Sequence, residues 1–185
     1  MWSADEIEAA MRAYPGFLPA FVVSIVVGLV ISGRVARALG VGRILAYGLV
    51  LSAALIVSAT VTPGGDEPRH GGTSCDFSRV APAPLADILV ISDVSLNVFL
   101  FVPLGAVLGL FPRSRRKAGL LIAAIALPFT IEAIQLLAVP LHRACQSGDV
   151  TDNLTGLAAG LVVGTMTGAT ALRLSVHLSR GSAAH

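Results

Sequence analysis

The stretch LLIAAIALPFTIEAIQLLAV, residues 120–139, decides the fold. It is as long as the roughly 20 residues that carry an α-helix across the hydrocarbon of a bilayer. Only Thr130, Glu132 and Gln135 interrupt its apolar character. A carboxylate held in hydrocarbon costs at least about 2.5 kcal/mol on insertion scales, so Glu132 marks a functional site by default. Gln135, one helical turn further on, adds a second polar group to the same face.

Outward from this run, the sequence holds further apolar stretches near 16–33, 44–61, 94–111 and 153–172, and the quoted run itself extends over 119–139. The chain is 55% hydrophobic and 13% charged, with a mean hydropathy of +0.81. Soluble domains carry about a quarter charged residues. The expected fold is all-α: a polytopic integral membrane bundle of about five transmembrane helices forming a single membrane domain over 1–185. The formal charge of +2 is small and its basic residues fall in short blocks, which excludes a nucleic-acid partner and leaves membrane lipids as the surroundings. Twelve of the 13 basic residues are Arg, a bias that points to a GC-rich bacterial genome and hence a bacterial cell membrane. The leader Met1 to Tyr14 is acidic, unlike the positive start of a cleavable signal peptide. Ser3 and Glu6 fit a capping box, so a short amphipathic surface helix is expected there.

Charge sets an expected orientation. Arg34, Arg37 and Arg43, then Arg113, Arg115, Arg116 and Lys117, then Arg173 and Arg180 share one side of a five-span chain. By the positive-inside rule that side is cytoplasmic, with the N-terminus outside and the C-terminus inside. Arg12, Arg69, Arg79 and Arg143 fall opposite.

The long connection 62–93 is rich in Pro and Gly and reads as an extracytoplasmic loop. Its apolar end, 85–91, is too short to span and is expected at the interface. Cys75 and Cys145 fall in the two outer loops, where an oxidising space favours a disulfide between them. A metal site adding His70 and His142 is the alternative, but the spacing lacks any zinc-ligand pattern, so neither metal nor cofactor is expected. Gly156, Gly160, Gly164 and Gly168 recur at every fourth position, a small-residue face that permits close helix packing inside the bundle or in a homodimer. Gly105 and Gly109 give the third run a shorter version. Pro103 and Pro128 each remove a backbone donor within a span and are expected to kink it.

Placed in this orientation, Asn97 lies about one turn deep, and Gln135 and Glu132 about 6 and 10 Å below the outer end of their helix. Asp149, Asp152 and Asn153 lie at the mouth of the fifth helix, and Arg143 in the preceding loop. Interhelical glue for Asn97 and Gln135, an N-cap for Asp152 and an ion pair for Glu132–Arg143 are the structural alternatives. Glue has no need to collect at one depth, and this favours a water-accessible outer pocket formed by Asn97, Glu132, Gln135, Arg143, Asp149 and Asn153.

These residues also carry a family resemblance. Asn97-Val-Phe-Leu-Phe101-Val-Pro103-Leu-Gly105 resembles the Asn-x-x-x-Phe-x-Pro-x-Gly segment of the VanZ-like proteins. Ile131-Glu132-Ala-Ile-Gln135 is similar to their Ile-Glu-x-x-Gln, and Arg143 with Asp149-x-x-x-Asn153-x-x-Gly156 resembles their closing motif. The likeness covers a core of about 90–165. It implies a small multi-span membrane protein of the cell envelope, in a family whose namesake is linked to teicoplanin resistance, a form of antibiotic resistance. Family members often carry a second acid where this chain has Gly148, and Asp152 beside Asn153 is unusual.

The functional expectation is a binding or modulating protein for a lipid-linked or glycopeptide-type ligand. An intramembrane enzyme on a lipid-linked substrate is the alternative, with Glu132 as general acid or base and Asp149 in support. It lacks a convincing nucleophile or phosphate loop. A transporter ranks lowest, because the spans show no inverted repeat and no charge lies deep on their cytoplasmic half.

Overall fold

Long apolar runs, in a medium that cannot hydrogen-bond, must satisfy their backbone internally, and each of the five folds as a helix. The computed structural model describes residues 16–61, 74–90, 92–138 and 144–182, with side chains through residue 171. The helices are α1 (Phe17–Leu39), α2 (Arg43–Thr60), the single-turn α3 (Leu85–Ile88), α4 (Asp93–Leu110), α5 (Arg115–Leu137) and α6 (Ser147–Ser182). All but α3 are long and apolar enough to cross a membrane, α6 over Ser147–Ala171. The described residues contain no strand, only a lone parallel bridge between Asp76 and Gln146. The expected amphipathic leader, together with Arg12, Arg69, His70, His142 and Arg143, lies outside the described residues.

Two boundaries differ from the apolar limits. α1 continues to Leu39 rather than ending near residue 33. Arg34 and Arg37 can run their stems along the helix while their heads leave the hydrocarbon, so charge does not stop the helix. Gly40 stops it. Its φ of +69° is the left-handed conformation that ends helices, and its N–H and that of Val41 both bond to the Ala36 carbonyl. α6 begins at Ser147, not near 153. Ser147, Gly148 and Asp149 look like loop by propensity, but a backbone bond from Ser147 to Asp76 fixes the helix start. Asp152 is therefore inside the second turn and is not an N-cap.

Pro103 and Pro128 both sit within continuous helices, α4 and α5. Exposed Val22, Val26 and Val30 of α1, Ile122 and Phe129 of α5, and Val162 and Met166 of α6 give the bundle an apolar exterior suited to lipid. Inside, Ile56, Phe101, Leu104, Leu108, Ala124, Ile131 and Leu157 form the core. Lipid tails are as apolar as these side chains, so close packing, rather than burial from water, must hold the helices together.

The tightest packing joins α4 and α6. A Cβ at Gly156, Gly160 or Gly164 would collide with the carbonyl oxygens of Val98, Val102 and Ala106, and one at Gly105 with that of Leu157. At Gly109 it would lie 2.7 Å from the Thr165 nitrogen. The two backbones touch, and only glycine fits. Gly168 is different: a Cβ there would meet Leu110 at an ordinary 3.7 Å. α4 also packs on α2, and α1 packs chiefly on α2.

The alternating helices give the bundle two ends. One holds the turns at 40–42 and 111–114, with Arg34, Arg37, Arg43, Arg113, Arg115, Arg116 and Lys117. There Arg43 reaches back to Ser32 Oγ (3.2 Å) and the Leu29 carbonyl (3.0 Å), and Lys117 Nζ caps the carbonyls of Gly109 and Phe111. The other end holds both cysteines and the polar motif residues.

Candidate functional site

Residues 74–84 form a strap at the cysteine end of the bundle. Cys75 and Cys145 are joined in a disulfide with Cα atoms 4.6 Å apart, as their shared side predicts. Beside it, Asp76 N donates to the Cys145 carbonyl and Ser147 N to the Asp76 carbonyl, both at 2.9 Å. Ser78 N donates to Asp76 Oδ1, and hydrogen bonds from Ser78 hold this carboxyl below the usual carboxylate value.

Three residues on, Arg79 anchors the strap to α6. Its guanidinium forks onto Asp152, Nη1 to Oδ1 at 2.8 Å and Nη2 to Oδ2 at 2.5 Å, and its carbonyl accepts from Ser147 Oγ at 2.7 Å. Asp152 is fully buried and Arg79 is about a third exposed. The hydrogen bond to Asp152 is the main cause raising the Arg79 pKa above its ordinary value. Gly148 makes room for this pair, since a Cβ there would fall 2.7 Å from Nη2. The departures noted at Gly148 and Asp152 thus belong together: one vacates the space and the other supplies the partner for the same guanidinium.

Beneath the strap lies a cavity of about 460 Å³, bounded by α1, α2, α4, α5 and the start of α6. That volume is within the usual range for small-molecule sites, about 300–1,000 Å³. Its polar wall is Asp93 and Asn97 from α4, Glu132 and Gln135 from α5, and Gln146, Asp149 and Asn153 around the start of α6. The other wall is apolar: Phe17, Leu55, Leu96, Phe99, Leu100 and Ile131. Leu96 and Phe99 are 53% and 58% exposed, so this wall continues onto the lipid-facing surface of the bundle. α2 and α4 touch near the opposite end, where Gly48 fits against Val107, and the cavity occupies the space between them at the strap end.

Glu132 and Gln135 are each held by their helix position and by a bond to another element. Glu132, buried on α5, accepts the Gln146 N–H at 2.7 Å. This puts a carboxylate at the positive N-terminal end of α6, where a negative charge is favoured. Gln135 Nε2 donates to the Thr60 carbonyl at 3.2 Å, one of the carbonyls left without a partner in the last turn of α2. That bond fixes which way the Gln135 amide points. Its Oε1 and the Asn153 Oδ1 are buried with no hydrogen-bond partner. A buried acceptor left unmade costs about 1–3 kcal/mol. Pro128 is buried one turn before Glu132 and lacks a backbone N–H of its own.

Of the residues singled out from the sequence, Asn97, Glu132, Gln135, Asp149 and Asn153 line this one cavity. Arg143 lies outside the described residues, though it directly precedes the cavity-lining Ala144. Asp93, Gln146 and the Thr60 carbonyl were not anticipated. Neither was Arg79, although an arginine on the side poor in basic residues was a usable signal.

The VanZ/LLP1 family model matches residues 45–167, and the chain belongs to this family. The match begins well before the motif segment and takes in α2, whose apolar residues carry no motif but form a wall of the cavity. Neither a curated protein nor a solved structure shows significant similarity to the chain.

Proposed function

We propose that this VanZ/LLP1-family membrane protein resides in the bacterial cell envelope. In this reading the strap end faces outward, and the cavity beneath it binds, or alters the presentation of, a lipid-linked or glycopeptide-type ligand. The carrying observation is the cavity itself, where polar groups from three helices meet an apolar wall continuous with the lipid-facing surface. The outward orientation is supported by the basic residues gathered at the opposite end. A cavity of about 460 Å³ accommodates a headgroup or a terminal sugar or peptide unit, with the remainder of a larger ligand outside.

The roles follow from the chemistry of each group. Asn97 offers both donor and acceptor to neutral parts of the ligand. Gln135, whose donor is held by Thr60, lines the same wall. Glu132 and Asp149 accept from amines or orient Arg143, and Arg143 meets an anionic group. Deleting the gene should change susceptibility to glycopeptide and lipoglycopeptide antibiotics. Unchanged inhibitory concentrations across such a panel contradict the reading.

The burial of Glu132 on the cavity wall supports a second reading, an intramembrane enzyme with Glu132 as general acid or base and Asp149 supporting it. Turnover of a lipid-linked substrate by purified protein, abolished in Glu132→Gln, would establish it. Retention of every phenotype in Glu132→Gln would remove it.

A further inference from the structure

We infer that the basic end of the bundle is a binding site for an anionic phospholipid headgroup, with arginines from two separate turns around its phosphate. This site lies at the end away from the cavity and does not depend on what the cavity binds.

Seven cations gather at this end. Arg34 and Arg37 lie in the last two turns of α1, Arg43 opens α2, Arg113 stands in the turn after α4, and Arg115, Arg116 and Lys117 open α5. Two of them are already engaged. Arg43 donates to Ser32 Oγ and the Leu29 carbonyl, and Lys117 to the carbonyls of Gly109 and Phe111. The other five are arginines, and all are exposed. The described acids lie on the strap, on α3, or in the strap-end turns of α4, α5 and α6. None of them is placed to pair with these five guanidinium groups.

The two turns form one surface. Arg116 Nη1 lies 3.0 Å from the position that a Cβ on Gly40 would take, so the start of α5 stands against the α1–α2 turn. Gly40 holds a left-handed φ of +69°, at which any other side chain is strained, so the place beside this guanidinium stays open. Orientation by the positive-inside rule asks only that this end be basic. It does not ask the arginines of two turns to meet. Like charges drawn onto one surface repel one another, and an anion among them removes that cost.

The chemistry of the ligand follows from these groups. A guanidinium presents a planar fork of donors that matches phosphate bidentately. Basic clusters beside the ends of membrane helices attract anionic headgroups. Val30 on α1 and Ile122 on α5 are 64% and 69% exposed and lie about one to two turns from Arg34 and Arg116. Acyl chains can therefore run along the same helices whose ends hold the headgroup. That favours a lipid over free phosphate, which gains nothing from an apolar surface. A zwitterionic headgroup fits less well, because it brings its own ammonium to a surface that is already cationic.

The test is lipid binding to the purified full-length protein in detergent, read by native mass spectrometry. Phosphatidylglycerol and phosphatidylcholine are titrated separately, and inorganic phosphate is added as a competitor. The expected result is a first phosphatidylglycerol held at least about tenfold more tightly than the second, and at least about tenfold more tightly than phosphatidylcholine. Arg34→Gln with Arg37→Gln, and Arg113→Gln with Arg115→Gln, should each weaken that first binding by about tenfold or more, at roughly fivefold per cation removed. An intact Cys75–Cys145 disulfide on gels confirms that each variant folds.

Equal affinity for phosphatidylglycerol and phosphatidylcholine overturns the inference. So does a series of phosphatidylglycerol steps with no preferred first lipid, which describes a diffuse field and not a site. Weakening by only one arginine pair overturns the site shared between two turns, and weakening by neither places the lipid elsewhere. Displacement of the first phosphatidylglycerol by an equal concentration of inorganic phosphate assigns the arginines to a free anion and overturns the lipid.

Discussion

Along their shared length, α4 and α6 behave in two opposite ways. From Val98 to Gly109 on α4, and from Gly156 to Thr165 on α6, the backbones touch through glycines, leaving no room for a side chain. Within the next two turns toward the strap, Asn97 and Asp93 on α4 and Asn153 and Asp149 on α6 carry polar side chains, and the helices enclose a cavity wall instead. The glycine seam is rigid because lipid offers no better partner than the neighbouring backbone. The cavity is costly because it leaves two buried amide oxygens unmatched. A protein that needed only stability would have extended the seam.

The largest expected effect is at the seam. Gly160→Leu drives a side chain into the Val102 carbonyl and should cost more than about 3 kcal/mol, beyond the usual overpacking range, so little folded protein should survive extraction. Folded, thermally unchanged Gly160→Leu would mean the seam is not as tight as described.

Next comes the strap, which Arg79 anchors to α6. Arg79→Ala leaves Asp152 fully buried and unpaired. Breaking a buried pair in this way costs about 3–5 kcal/mol, and the partial exposure of Arg79 points to the lower end. Replacing both, Arg79→Met with Asp152→Leu, should recover much of the lost melting temperature. A double variant no better than Arg79→Ala would show that the pair is not the cause.

Cys75→Ala should cost less, about 2–4 kcal/mol for a cross-link spanning 70 residues, and should abolish the gel shift seen on reduction. Two alkylatable thiols in untreated wild-type protein would contradict the bridge. The smallest effect is expected at Gly168→Ala, which meets only ordinary contact and should stay within about 0.5 kcal/mol of wild type. If it matched Gly160→Leu, the seam would run a turn further than the geometry gives.

The five helices were legible because apolar length and charge blocks are properties of the chain itself. The helix ends at Leu39 and Ser147 were not. The first depends on arginine stems continuing along a helix, and the second on a backbone bond to Asp76, distant in sequence. The shared cavity of Asn97, Glu132, Gln135, Asp149 and Asn153 could be anticipated from their common depth. The Arg79–Asp152 pair could not, since pairing across a long irregular loop leaves no periodic trace. Gly148 and Asp152 stood out only as oddities until the guanidinium between them explained both. The fourth glycine of the repeat shows the reverse limit, because periodicity marked Gly168 as equal to its neighbours when only contact distinguishes it.

The most direct test is the accessibility of Asn97→Cys in intact cells, with the native disulfide left formed. A membrane-impermeant maleimide added outside should label this thiol at the polar wall of the cavity, while the wild-type protein, whose two cysteines are joined in the disulfide, stays unlabelled. Labelling of Asn97→Cys only after permeabilisation, or none under any condition, would contradict an outward-facing cavity beneath the strap.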